Sequence, residues 1–174
     1  MHPVEKYIRT IPDFPREGIM FRDITTIMQN PEGFQLAVDG LEELLADVEF
    51  DKIVVLESRG FLFGAPIARD LKKGLVLVRK KGKLPCETIS QEFELEYGTA
   101  TFEVHKDSIE KGDKVIIVDD LLATGGSLKA GIELIERLGG EVTDCLCVAE
   151  LKGLNGRKVL EGYRVDVLVS YEGK

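Results

Sequence analysis

Two adjacent aspartates followed by a loop of small residues are the part of this chain whose residue types most clearly suggest chemistry. Asp119 and Asp120 follow the β-branched run 115–118, and residues 123–127 then read Ala-Thr-Gly-Gly-Ser. Carboxylates accept hydrogen bonds, which suits vicinal hydroxyls or bound Mg²⁺. The loop combines two permissive glycines with two hydroxyls, so backbone N–H groups can converge on an anion where the next helix begins. The pattern predicts a site for a ribose that carries a phosphate.

Other phosphate-binding patterns are missing from the sequence, which narrows the kind of loop. Neither G-x-x-x-x-G-K-[ST] nor G-x-G-x-x-G occurs in the 174 residues, so P-loop NTPases and Rossmann dinucleotide-binding proteins are disfavoured. Taken singly, acids at a strand end often lie in solvent, and a Gly-Gly pair often forms a simple turn. Their conjunction within one short segment favours a ligand site.

The strand before the aspartates belongs to a predicted α/β sheet. The run 115–118 lacks polar alternation, as expected of a central strand that is covered on both faces. Strands are also predicted at 52–56, 75–78, 142–149 and 165–169, and helices at 31–45, 61–71 and 127–138. This alternation predicts a doubly wound, mainly parallel sheet flanked by helices, in a single domain spanning residues 1–174. Ligands of such sheets bind beyond the carboxyl ends of the strands.

Two segments fall outside the alternation. Residues 3–10 predict a short helix, and the Pro-rich region that follows it is expected to cap the sheet rather than join it. Residues 81–104 are polar, with Thr, Ser, Glu and aromatic side chains alternating, which predicts one or two antiparallel strands with a mobile loop. Loops of this length tend to be lids.

Charge and composition exclude several classes of partner. The formal net charge of -8 would repel a polyanion, so we expect no nucleic-acid partner. One basic cluster, residues 79–83, carries four cations in five positions. A small anion such as pyrophosphate suits so short a patch, although a solvated loop is the alternative.

The cysteines and the apolar runs indicate where the protein works. Cys86, Cys145 and Cys147 have neither metal-ligand spacing nor the even count of a disulfide framework, which favours a reducing compartment. The last two are expected to be small core residues on one face of a strand. No apolar run has the length of a signal peptide core or a membrane span, so we expect a cytoplasmic protein without a membrane partner.

Four segments taken together resemble a known family. The run 115–127 is similar to the phosphoribosyl pyrophosphate (PRPP) signature of type I phosphoribosyltransferases, and its Leu-Leu-Ala is most similar to the adenine-specific members. Three further segments resemble the same members in the same order, and the four together span nearly the whole chain. They are Gly-Ile-Met-Phe-Arg-Asp-Ile at 18–24, Glu-Ser-Arg-Gly-Phe at 57–61, and the basic run at 78–85 counted with Leu-Glu-Tyr-Gly downstream of it at 95–98.

The resemblance implies a reaction in which adenine and PRPP give AMP and pyrophosphate. It places Asp119 and Asp120 at the ribose hydroxyls and surrounds the 5′-phosphate with Ala123, Thr124, Gly125, Gly126 and Ser127. It assigns pyrophosphate to Arg59, Arg79, Lys80 and Lys83, partly across a dimer interface. It makes Glu96, Arg59 and Tyr97 the catalytic residues, with Glu96 protonating or hydrogen-bonding adenine N7 from a lid at 81–104.

The resemblance also implies the base site, the cofactor and the assembly. Adenine would be held by Met20, Phe21, Arg22 and Leu151, beneath a hood formed by residues 1–30. Mg²⁺ would be held mainly by substrate oxygens and water, with no dedicated protein metal site, and the protein would be a homodimer. Two alternatives remain: a phosphoribosyltransferase for a 6-oxopurine (hypoxanthine, guanine or xanthine), and a regulator that senses PRPP without turnover.

Overall fold

The computed structural model describes residues 2–95 and 98–173, and its centre is a seven-stranded sheet. The strands are β1 (Arg9–Pro12), β2 (Met20–Asp23), β3 (Lys52–Leu56), β4 (Gly74–Lys80), β5 (Thr88–Leu95), β6 (Gly98–His105), β7 (Lys114–Leu122), β8 (Glu141–Leu151) and β9 (Val165–Tyr171). The α-helices are α1 (Thr25–Met28), α2 (Pro31–Leu44), α3 (Gly60–Asp70) and α4 (Gly126–Arg137), and 3₁₀ helices cover Pro3–Tyr7, Lys152–Leu154 and Gly156–Leu160.

The strand order in the large sheet is β5-β6-β4-β3-β7-β8-β9. Strands β4, β3, β7, β8 and β9 pair in parallel, whereas the hairpin β5–β6 joins the β4 edge in antiparallel fashion. From β3 the chain continues to β4 on one side, and from β7 it continues to β8 and β9 on the other, so the carboxyl ends of β3 and β7 flank the crevice where such sheets bind ligands. The predicted α/β fold class, a mainly parallel sheet with an antiparallel excursion, is confirmed.

Two apolar layers cover the faces of the sheet and explain why β7 lacks polar alternation. Ile116 and Val118 face the layer formed with α2 and α3, while Val115 and Ile117 face the layer formed with α4. All four side chains are fully buried. Each fully buried aliphatic side chain contributes roughly 1.5–3 kcal/mol to folding, so this strand is firmly held on both sides. The aspartates that follow are therefore attached to a rigid element.

Some predicted element bounds are wrong near the ends of the chain and near the aspartates. The first helix ends at Tyr7, because the β-branched Thr10 and Ile11 continue instead into β1, which pairs with β2 in a separate two-stranded sheet. Strand β7 runs on to Leu122, so Asp119 and Asp120 lie within it rather than after it. The 3₁₀ helices after β8 were not predicted. In the described residues, no helix is long and apolar enough to cross a membrane.

A buried acid far along the chain from the predicted site makes stability depend on pH. Asp144 on β8 is fully buried, and neither of its carboxylate oxygens has a hydrogen-bond partner. Arg164 Nε lies 3.4 Å from Oδ2 and also pairs with Asp166 and Asp47. Burial, together with the charge of Asp166, raises the pKa of Asp144 to about 7. The folded protein therefore binds a proton here that the unfolded chain has released.

Replacing Asp144 with Asn should flatten this pH dependence. The free energy of unfolding that the protonated carboxyl contributes is present below the ordinary pKa of Asp and is lost as pH rises towards 7. Wild-type protein should therefore lose about 2 kcal/mol between pH 5 and pH 8 through this group, and Asp144→Asn should not. Urea unfolding of both proteins at the two pH values measures the difference. An equal change in both proteins would contradict the assignment.

Candidate active site

The paired aspartates lie at the crevice edge of the sheet and are held differently from each other. Asp120 is only 4 % exposed, and its carboxylate accepts a hydrogen bond from Nε of Arg59. Asp119 is half-buried, and its Oδ1 accepts a bond from the backbone N–H of Asp120 at 2.8 Å. Burial raises the pKa of Asp119 well above its usual range, and the charge of Asp120 raises it further. Asp120 therefore faces a cation, whereas Asp119 bonds to the backbone.

Arg59 reaches Asp120 because of a glycine in the turn between β3 and α3. A Cβ added to Gly60 would lie 2.6 Å from the carbonyl oxygen of Val118, so only glycine lets this turn pack against β7. The charge of Asp23, at the end of β2, also acts on the Arg59 guanidinium. The first 30 residues thus come close to the acids of β7.

The loop after β7 is shaped by two glycines in contact. Gly125 has φ +83°, and a Cβ there would lie 2.6 Å from the carbonyl oxygen of Gly156. A Cβ on Gly156 would in turn lie 2.3 Å from the carbonyl oxygen of Ala123. Helix α4 begins at Gly126, directly after this bend. Unpaired N–H groups at a helix start attract anions, so the fold presents backbone donors at this point.

The same loop encloses a small pocket that contains one of the aspartates. The pocket has a volume of about 50 Å³. It is lined by Asp119, Leu121, Leu122, Ala123, Thr124, Gly125, Gly126, Ser127 and Leu128. All seven residues predicted for the ribose 5-phosphate lie in β7, this loop or the first turn of α4, and six of them line the pocket. Asp120 points instead towards Arg59.

Residues 79–83, at the end of β4 and directly after it, form a basic turn. An acid that was not among the predicted site residues holds this turn. Glu57, directly after β3, has a side chain only 6 % exposed. Its Oε1 accepts a bond from Lys83 Nζ at 2.5 Å, and its Oε2 lies 3.4 Å from Nε of Arg79. Two cations predicted to meet pyrophosphate are therefore paired with a carboxylate of the same chain. The Glu57–Ser58 peptide bond is cis.

A wider cleft connects the basic turn with the β5–β6 hairpin and the start of α4. Its volume is about 580 Å³, and its lining includes Glu57, Lys80, Phe93 and Ser127. Phe93 on β5 packs against Phe102 on β6 with ring centroids 4.6 Å apart. The cleft therefore brings cations from β4 to the same space as the start of α4, although the two segments are distant in sequence.

The residues predicted for adenine lie on β2 and β8, and a cation–π contact joins β2 to β9, the strand beside β8. On β2, the side chains of Met20 and Phe21 are about two-fifths exposed, and Phe14 contacts the Phe21 ring edge-on at 5.2 Å. The guanidinium of Arg22 lies 4.0 Å from the ring centroid of Tyr171 on β9. Tyr171 pairs with Leu151 in the parallel register of β8 and β9. The hairpin β1–β2 is thereby attached to the carboxyl ends of these strands.

Weakening this attachment should affect the base more than PRPP. Tyr171→Leu removes the ring beneath Arg22, and a cation–π contact contributes about 0.5–2 kcal/mol, so we expect the KM for adenine to rise roughly fivefold. Tyr171→Phe keeps the ring and should resemble wild type. Steady-state kinetics with each substrate varied in turn measures both constants. A rise in the KM for PRPP alone, or an equal loss in both variants, would contradict this role.

The predicted catalytic acid and its neighbour cannot be placed. Glu96 and Tyr97 lie outside the described residues, so their roles stay predictions. Of the segment around them, β5 ends at Leu95 and β6 begins at Gly98. Arg137 at the end of α4 donates to the carbonyl oxygen of Ser90 at 2.7 Å, which joins the β5–β6 hairpin to the helix that follows β7.

Fold and site together define a phosphoribosyltransferase. The model of the family described as "Phosphoribosyl transferase domain" matches residues 23–169, which include every segment described above except β1, most of β2 and the ends of the chain.

More specific comparisons agree with one another. An adenine phosphoribosyltransferase from Agathobacter rectalis is 58% identical over 174 residues, covering 100% of both chains. The crystal structure of adenine phosphoribosyltransferase from Thermoanaerobacter pseudethanolicus superposes with a TM-score of 0.91 at 49% identity, covering 97% of this chain and 98% of that one. The Saccharomyces cerevisiae enzyme, complexed with an imino-altritol bisphosphate and adenine, gives 0.87 at 45% identity, covering 95% and 96%. The chain belongs to the adenine phosphoribosyltransferase family.

Proposed function

We propose that this chain transfers the 5-phosphoribosyl group of PRPP to adenine, giving AMP and pyrophosphate. The observation that carries the proposal is that the aspartates of β7 lie next to a pocket formed by the loop at the start of α4. Such a pocket fits a terminal phosphate, and the adjacent carboxylates fit the hydroxyls of the sugar to which that phosphate is attached. The Saccharomyces cerevisiae structure bound to adenine supports the choice of base.

The chemical step is mainly electrostatic. The bond from the anomeric carbon to pyrophosphate breaks with its electron pair on the leaving oxygen, N9 of adenine forms the new bond to that carbon, and adenine releases the proton of its imidazole ring. Positive charge develops on the ribose, beside Asp119 and Asp120, while negative charge grows on pyrophosphate, beside Arg59 and the basic turn. Prearranged charges of this kind lower the barrier without a covalent nucleophile.

The lid residues complete the proposed mechanism. Glu96 would hydrogen-bond N7 of adenine as N9 attacks, and Tyr97 would order the closed lid. Because adenine loses a proton when AMP forms, Glu96 would accept that proton in the forward reaction and would protonate N7 only in the reverse reaction. Desolvation under a closed lid would favour the protonated form of the acid. Arg79, Lys80 and Lys83 would meet the leaving pyrophosphate, and of these three Lys80 lines the wide cleft.

Mg²⁺ is the proposed cofactor, held mainly by substrate oxygens and water. Among the described residues, no three His, Cys, Asp or Glu side chains cluster as a metal site. Asp119 and Asp120 would supply carboxylate oxygens near an ion bound to the substrate, which are ligands that Mg²⁺ prefers. When bound, the ion would neutralise charge on the leaving pyrophosphate. Activity should therefore disappear with EDTA and return with added Mg²⁺.

A homodimer is proposed on the basis of an apolar face. Leu75 and Leu77 are each 38% exposed, and with Leu84 they line a hollow of about 300 Å³. Leu62 on α3 is 47% exposed. Exposed apolar groups of this size are typical of protein interfaces, and a second copy is the proposed partner. Light scattering should give about twice 19.3 kDa, and the monomer mass would contradict the proposal.

A cytoplasmic location is proposed from the cysteines. All three are free, and burial raises the pKa of the Cys145 thiol to about 12 and that of Cys147 well above its usual value. Thiols of this kind suit a reducing compartment. Fractionation of the source cells, with antibody detection, would test the location.

One assay separates the proposed function from its two alternatives. The protein is incubated with labelled PRPP and Mg²⁺ and with adenine, hypoxanthine, guanine or xanthine, and nucleotides are separated by chromatography. We expect AMP from adenine and little product from the others. Product from a 6-oxopurine alone would favour the first alternative. PRPP binding without any nucleotide would favour a sensor.

A further inference from the structure

The acid that follows β3 lies among cations that the proposed function needs for an anion. Glu57 lines the wide cleft, yet its side chain is only 6 % exposed. A carboxylate beside a pyrophosphate site repels the anion, so its presence there requires a purpose that offsets this repulsion. The contacts of Glu57 indicate that purpose.

Both oxygens of the Glu57 carboxylate are used. Oε1 accepts from Lys83 Nζ at 2.5 Å, while Oε2 accepts from the backbone N–H of Lys80 at 2.8 Å and lies 3.4 Å from Nε of Arg79. Burial raises the pKa of Glu57, but the bonds to Lys83 and Lys80 and the charges of Lys83 and Arg79 outweigh burial and lower it. The carboxylate is therefore ionised at neutral pH and connects the two ends of the basic turn.

A second acid holds the same turn in a different way. The carboxylate of Glu103 on β6 accepts the backbone N–H of Gly82 at 2.9 Å, and Glu103 is 9% exposed. In residues 2–95 and 98–173, no salt bridge joins Glu103 to a cation. Glu103 thus fixes the backbone at the tip of the turn, whereas Glu57 fixes the charged side chains.

We propose that Glu57 is a positioning residue that orients Lys83 and Arg79 for pyrophosphate. Long basic side chains lose considerable conformational entropy when a ligand orders them, and a carboxylate that orders them beforehand reduces this loss. Charge-assisted bonds hold such side chains more firmly than neutral ones. The inference rests on the proposed function, because it assumes that the turn meets pyrophosphate.

We expect that glutamine cannot replace this carboxylate, because an amide has one acceptor oxygen where a carboxylate has two. A glutamine side chain would offer one acceptor oxygen to two groups of donors, so its NH₂ group would face either the Lys83 ammonium or the Lys80 N–H. In Glu57→Gln, we expect the KM for pyrophosphate in the reverse reaction, and the KM for PRPP in the forward reaction, to rise about tenfold. AMP lacks the pyrophosphate group, so its Kd should stay within about twofold.

Two further variants make the test specific. Glu103→Gln is the matched control, since its amide oxygen can still accept the Gly82 N–H, and it should change the KM for pyrophosphate by less than about threefold. In a Lys83→Gln background, Glu57→Gln should add much less to the KM for pyrophosphate than it does in wild type, because it acts through Lys83. Thermal unfolding monitors whether each variant is folded.

The outcomes are distinguishable. Weaker pyrophosphate binding with unchanged AMP binding, lost in the Lys83→Gln background, supports the proposal. Equal or tighter pyrophosphate binding in Glu57→Gln would show that the carboxylate competes with the anion, and equal loss of AMP and pyrophosphate would show a structural role. Either result overturns the proposal. If the wild type forms no AMP from adenine and PRPP, the proposed function itself fails instead.

Discussion

Replacing Asp120 with Asn should lower kcat/KM for PRPP by about 100-fold while the fold persists. The variant loses the charge that faces Arg59 and an acceptor for the ribose hydroxyls, and a hydrogen bond to a charged group contributes about 1.5–3 kcal/mol. Since each 1.36 kcal/mol is about a factor of ten in rate, one or two such bonds account for the expected loss. The Arg59 side chain is 53% exposed, so water can solvate it once its partner is neutral.

Steady-state kinetics and thermal unfolding test this prediction together. The melting temperature should stay near that of wild type, while the KM for PRPP rises and kcat falls. Asp119→Asn is the informative comparison, because the Asp119 carboxylate bonds to the backbone, whereas that of Asp120 bonds to Arg59. Unchanged kinetics in Asp120→Asn would remove Asp120 from the site.

Replacing Gly125 with Ala should cause a loss of similar size through the backbone. A Cβ there would lie 2.6 Å from the carbonyl oxygen of Gly156 and 2.5 Å from a methyl group of Val159, at a φ of +83° that side chains rarely adopt. The loop must shift to relieve the contact with Gly156, and misplaced N–H donors bind a phosphate poorly. We expect kcat/KM for PRPP to fall about 100-fold.

Gly162 offers a matched control for the backbone strain. Its φ is +92°, but an added Cβ would meet nothing within 4 Å. Gly162→Ala should therefore cost about 1 kcal/mol of stability and leave kinetics near wild type. If the two alanine variants are equally active, the contact between Gly125 and Gly156 does not shape the site.

The central strands were predictable from sequence because their burial leaves a direct signal. The run 53–56 is apolar and short, and β3 has the predicted bounds, Lys52–Leu56. The pair Gly139-Gly140 predicted that the helix ends at residue 138, and α4 ends at Arg137. Periodicity and turn residues are local properties, so they can be recognised in the sequence alone.

Contacts between distant segments were not predictable in the same way. Glu57 lies at the carboxyl end of the buried strand β3. Asp119 and Asp120 were expected at the same position after β7, and this shared position was the one signal in the sequence that could have identified Glu57. Nothing local indicated that Lys83, 26 residues later, would bond to it. Likewise, Asp119 and Asp120 were expected after the strand, because two charges usually end a buried run, yet pairing with β8 continues to Leu122.

The hood residues illustrate the same limit. Phe21 and Arg22 were assigned to adenine by resemblance, but the ring under Arg22 belongs to Tyr171, near the other end of the chain. No pattern around either residue predicts that contact. The pairing of β8 with β9 places Tyr171 beside Leu151, and β2 meets this ring only through a tertiary contact between the two ends of the chain.

The position of the phosphate of AMP tests the central claim most directly. In a crystal structure of the protein soaked with AMP, that phosphate should lie within about 3 Å of backbone N–H groups of residues 124–127, with the ribose hydroxyls facing the aspartates of β7. AMP bound elsewhere, with this loop free of phosphate, would contradict the account.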